Sequence, residues 1–65
     1  MNGTVTRFDD ATGLGEIHAA DDGRRIRFHC VGIADGTRTI AVGTAVEFEL
    51  LPKLGRYEAT EIRQA

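Results

Sequence analysis

Arg24-Arg25-Ile26-Arg27-Phe28-His29, entered through the turn residues Asp21-Asp22-Gly23, is the stretch that decides the fold class. Successive side chains of a β-strand point to opposite faces, so Ile26 and Phe28 share one side and Arg25, Arg27 and His29 the other. That is the alternation of a half-buried strand. Upstream, Leu14-Gly15-Glu16-Ile17-His18 follows Thr12-Gly13, and Thr4-Val5-Thr6-Arg7-Phe8 closes on Asp9-Asp10. Both runs carry β-branched or aromatic residues between turn formers. Downstream, Val46-Glu47-Phe48-Glu49-Leu50 alternates after Gly43, and Tyr57 to Ile62 supplies a fifth strand. Glycines at 3, 13, 15, 23, 32, 36, 43 and 55 leave few windows of helical length.

The connections differ. The first two are short enough for hairpin turns, Gly32 to Gly43 reads as a longer crossing connection, and Pro52-Lys53-Leu54-Gly55-Arg56 reads as a loop. Five short strands without a helix predict an all-β, antiparallel, closed or nearly closed barrel. The predicted core is Val5, Ile17, Ile26, Phe28, Ile33, Ile40, Val46, Phe48, Leu50 and Ile62.

Length and composition bound the function. A chain of 65 residues has room for a single domain, residues 1–65, that buries about 60% of its unfolded surface. Its 10 acidic and 8 basic residues give a net charge of -2, which opposes a uniformly basic, nucleic-acid-coating surface. Any such binding has to rest on local charge. Cys30 is the only cysteine, so internal disulfides and Cys-x-x-Cys zinc sites are excluded. The N-terminus has no apolar signal core and no apolar run reaches about 18 residues, so the expectation is a cytoplasmic protein that does not enter a membrane.

Enzymatic chemistry finds little purchase. The chain contains no serine, and no base is implied beside Cys30. Gly13-Leu14-Gly15 lacks the third glycine and the Lys-Ser/Thr of a phosphate loop. Glu16, His18 and His29, with Cys30 nearby, are suitable metal ligands by type, but their spacing matches no metal motif. The expectation is a protein that is not an enzyme and holds no cofactor or metal.

Gly3-Thr4-Val5, Phe8, Gly13-Leu14-Gly15-Glu16-Ile17, Asp22-Gly23 and Ile26-Arg27-Phe28-His29 follow one another in an order that resembles the cold-shock domain family. Ile33, Gly36, Ile40, Gly43, Val46, Phe48-Glu49, Ala59 and Ile62 continue the pattern, with one residue fewer between Ile33 and Ile40. The resemblance spans nearly the whole chain. It implies a five-stranded OB-like barrel whose outer face on strands one to three binds single-stranded RNA or DNA.

The chain departs from the family where bases stack. Arg7 takes the tryptophan-like position, Leu14 and Glu16 the two aromatic positions of the first motif, and Arg27 the leading aromatic of the second. Cys30, Thr37 and Thr12 replace a second aromatic, a loop aromatic and a lysine. Only Phe8 and His29 remain of the stacking set. Base–aromatic stacking is worth about 1–3 kcal/mol per base, so three lost platforms remove roughly 3–9 kcal/mol if additive, and the lower end is safer.

Arginine offers compensation, because a guanidinium both stacks on a base and holds a phosphate with two hydrogen bonds. All but one of the basic residues are arginine. The candidate nucleic-acid contacts are therefore Arg7, Arg25 and Arg27 on the outer face, Phe8 and His29 as stacking groups, Leu14 as a flat apolar contact, and Arg38 and Arg56 in flanking loops. Beside this stands a plainer expectation: Glu16 and Arg27, on neighbouring strands, form a cross-strand ion pair worth about 0.2–1 kcal/mol. The leading reading is a single-stranded nucleic-acid-binding protein with weakened or altered binding. Its alternative is a protein-interaction or regulatory module that kept the scaffold and lost nucleic-acid binding, with Leu14, Leu50, Leu51 and Leu54 offering an apolar patch to a protein partner.

Overall fold

The computed structural model describes residues 1–65. Five strands run as β1 (Asn2–Asp9), β2 (Leu14–Ala19), β3 (Arg25–His29), β4 (Ala45–Lys53) and β5 (Arg56–Gln64), with one 3-10 turn at Cys30–Gly32. They close into a barrel in the order β1-β2-β3-β5-β4. The predicted all-β barrel is present, but its strands are not all antiparallel. β5 lies parallel to β3, pairing Arg27 with Glu58 and Phe28 with Ala59. Closure itself demands this, since directions can alternate all the way round a ring only when the number of strands is even.

The core follows the period-2 pattern. Val5, Ile17, Phe28, Val46 and Ile62 are fully buried, with Ile26, Ile33 and Phe48 nearly so. Two expected members, Ile40 and Leu50, only pack against this cluster from its margin. Ala19 and Ala59 take interior places instead. The predicted loop Pro52–Arg56 is also tighter than expected. Pro52 pairs with Tyr57 and Lys53 with Arg56, leaving Leu54-Gly55 as a two-residue turn in which Gly55 has a φ of 73°.

Two details position the outer face. In the first, β1 shifts register between Val5 and Arg7: Val5 pairs with Ile17 but Arg7 with Glu16, leaving Thr6 as a bulge. Without that extra residue Arg7 would point inward with Val5. The bulge turns Arg7 out and Phe8 in. In the second, Gly15 stands between Phe8 on β1 and Phe28 on β3. With no side chain in the way, the two rings stack over it, 6.0 Å between centroids and 7° from parallel. A Cβ at Gly15 would lie 2.3 Å from Phe28 Cζ and 2.8 Å from the Arg7 carbonyl oxygen.

The turns are held by aspartates. Asp22 accepts the Arg24 backbone N–H at 3.0 Å and pairs with the same guanidinium at 2.6 Å. Asp35 accepts the Thr37 N–H and hydroxyl at 3.0 and 2.8 Å. These bonds, led by the backbone N–H in each case, hold both carboxyls below the usual aspartate value of 3.8. A carboxyl whose folded value is lowered binds its proton more readily in the unfolded chain. Its contribution is therefore whole at neutral pH and disappears as pH falls below about 3.8 through the lowered folded values. The melting temperature is expected to drop across that window in thermal melts followed by circular dichroism, and to drop less in an Asp22→Asn/Asp35→Asn double variant. An equal drop in the two proteins would show that other carboxyls govern acid unfolding.

Candidate functional site

The register of β1, β2 and β3 sets out the outer face as three rows. The first holds Thr4, His18 and Arg25, the second Arg7, Glu16 and Arg27, and the third Asp9, Leu14 and His29. In the middle row Glu16 faces an arginine across each of its two ladders. The anticipated Glu16–Arg27 ion pair is nevertheless not formed. The only ion pairs within 4.0 Å are Arg24–Asp22, Arg56–Glu58 and Arg63–Glu61. The bulge explains the difference, because it brings the Thr6 hydroxyl to within 3.2 Å of Glu16 Oε1, to which it donates. Glu58, next to Arg27 on the other side, is taken by Arg56 at 3.3 Å.

Arg7, Arg25 and Arg27 are thus exposed and without a carboxylate partner. Arg7, Leu14, Glu16 and Arg27, with Asp9 and Thr12, border an open depression of about 390 Å³. Leu14 keeps 44% of its surface exposed and stands opposite His29. His29 is half-buried, and its Nδ1 accepts the Val31 N–H at 3.3 Å, which caps the 3-10 turn. That bond assigns the proton of the neutral ring to Nε2, leaving a donor for a ligand.

Three expected contacts stand apart from this cluster. Phe8 is half-buried on Phe28 and borders a separate depression with Asp10 and the segment Thr39–Val42, not the one between Arg7 and Arg27. The bulge at Thr6 is the cause, and the odd spacing of the two apolar residues Val5 and Phe8 was its only trace in the sequence. Arg56 lies on the β4–β5 hairpin and is tied to Glu58. Arg38 is exposed and unpaired in the crossing connection with a φ of 61°, a left-handed conformation uncommon for a side chain of its size. The Thr39 hydroxyl donates to Asp10 at 3.4 Å, which ties that connection to the β1–β2 turn beside the depression.

No group of three His, Cys, Asp or Glu side chains converges on a common point. Cys30 Sγ lies 3.8 Å from His29 Nδ1, and a Cβ at Gly13 would meet the sulfur at 2.7 Å, so the pair packs under the β1–β2 turn. No helix is long and apolar enough to cross a membrane.

The family model described as the 'Cold-shock' DNA-binding domain matches residues 1–65. Among solved structures, drosophila Unr CSD456 is similar with a TM-score of 0.82 at 25% identity. The match covers 98% of this chain but only 26% of that one. None of the curated proteins matches the chain.

Proposed function

The chain belongs to the cold-shock domain family, whose members generally bind nucleic acids, and from that premise we propose that it binds single-stranded RNA or DNA through arginines instead of an aromatic platform. The observation that carries this reading is the set of unpaired guanidiniums of Arg7, Arg25 and Arg27 on one face of three adjoining strands. Each is free to hold a phosphate or to lie flat against a base. Leu14 supplies apolar contact at the edge of the row, and His29 a donor. Binding is weaker than an aromatic face would give, because the stacking contributions of about 1–3 kcal/mol per base are largely gone. The proposal is for a cytoplasmic binding protein, not a catalyst.

A second reading is favoured by the β4–β5 hairpin, where Leu54 is fully exposed, Tyr57 54% and Leu51 42%. These suit a protein partner. An NMR titration with a short pyrimidine-rich strand separates the two readings, and the absence of tryptophan makes NMR preferable to fluorescence quenching. Amide shifts are expected to cluster on Arg7, Leu14, Glu16, Arg27 and His29 and to spare Leu51–Tyr57. No shifts at low salt and high strand concentration would leave the protein-interaction reading in possession.

A further inference from the structure

The middle row of the outer face holds a carboxylate where phosphate binding alone would want none. Arg7, Glu16 and Arg27 lie side by side on β1, β2 and β3, a span of about 10 Å at the usual strand spacing. Glu16 is half-buried and forms no ion pair, and the Thr6 hydroxyl holds its Oε1 at 3.2 Å. One hydroxyl satisfies only one of the roughly four acceptor positions of a carboxylate. The remaining oxygen valences, and both flanking guanidiniums, are unclaimed by the protein.

We propose that the depression between Arg7, Glu16 and Arg27 is a base-reading site that prefers guanine; this rests on the nucleic-acid reading above and deepens it. Among the four bases only guanine carries two parallel donors, N1–H and the 2-amino group, that meet both oxygens of a carboxylate at once. Its adjoining edge carries the acceptors O6 and N7, the pair that a guanidinium grips with two hydrogen bonds. Adenine turns an unprotonated ring nitrogen toward the carboxylate. Thymine and uracil offer one N–H between two carbonyl oxygens, which the carboxylate repels. The row presents acceptor and donor groups in the complementary order, and the second arginine remains for the phosphate. Single-stranded bases are free to expose these edges, as duplex bases are not. Glu16, which weakens general phosphate attraction, becomes the group that selects.

The test is fluorescence anisotropy at low salt with labelled heptathymidylates carrying a central guanine, adenine, inosine or thymine. The guanine strand is expected to bind about tenfold more tightly than the adenine or thymine strand, with inosine, which lacks the 2-amino group, in between. Glu16→Gln keeps the size and the Thr6 contact but replaces one acceptor with a donor. It is expected to reduce the guanine preference below about threefold while tightening the all-thymine strand by about two- to threefold, through loss of a negative charge. Equal binding of the guanine and adenine strands by the unaltered protein, or a preference that survives in Glu16→Gln, would overturn the proposal and leave arginine-based binding standing. Failure of every strand to bind would overturn both.

Discussion

Replacing Phe28 by alanine is expected to cost about 3–5 kcal/mol of stability, enough to leave much of the protein unfolded at room temperature. A domain of 65 residues has only about 3–10 kcal/mol to lose. Phe28 is fully buried, and its ring carries one face of the Phe8 ring. Its removal leaves a cavity that the closed barrel cannot collapse to fill, because every strand is already paired on both sides. Gly15→Ala attacks the same contact from the other direction. The new methyl would stand within 2.8 Å of both the Phe28 ring and a backbone oxygen, and the backbone cannot swing away. Overpacking of this kind costs about 1–3 kcal/mol. Urea unfolding followed by circular dichroism measures both. A loss below about 1.5 kcal/mol for Phe28→Ala would mean that the stacked pair is not the keystone of the barrel.

The largest functional effect belongs to the paired substitution Arg7→Ala/Arg27→Ala. Both side chains are exposed and unpartnered, so their loss removes no ion pair and leaves stability nearly unchanged. Hydrogen bonds to charged groups contribute about 1.5–3 kcal/mol, and the lower end suits an exposed site. Two such contacts amount to about 3 kcal/mol, or a loss on the order of 100-fold in affinity for a single strand. Arg56→Ala provides the contrast, because that guanidinium is engaged with Glu58 on the hairpin. Its expected effect is under about threefold. Equal losses in the two variants would place the binding surface on the hairpin side of the barrel.

The strands were legible in the sequence because alternation is a direct consequence of burying one face. Ile26 and Phe28 inside, with Arg25, Arg27 and His29 turned away, needed no structure to read. The resemblance of Gly13-Leu14-Gly15-Glu16-Ile17 and Ile26-Arg27-Phe28-His29 to the cold-shock pattern was equally visible, and the family model bears it out. What alternation could not convey is where it breaks. The Thr6 bulge turns Phe8 against the core, half-buried on Phe28, and turns Glu16 toward β1 instead of toward Arg27. Glu16 therefore read as the closing half of an ion pair when it is held open by a hydroxyl. Ala19 and Ala59 carry little hydrophobic signal of their own, so only the structure shows that they are core residues. The parallel β3–β5 pair is a property of closure with five strands, which no single segment records.

If unpaired arginines on β1 and β3 have replaced stacking as the source of binding, as proposed, the salt dependence of binding reports it directly. Stacking is nearly indifferent to salt, whereas each neutralised phosphate of a single strand contributes about -0.7 to the slope of log K against log salt. On an all-thymine strand, Arg7, Arg25 and Arg27 together give an expected slope of about -2 for the unaltered protein, and Arg7→Ala/Arg27→Ala an expected slope of about -0.7. A slope near zero in the unaltered protein, or one that the double substitution leaves unchanged, would contradict it.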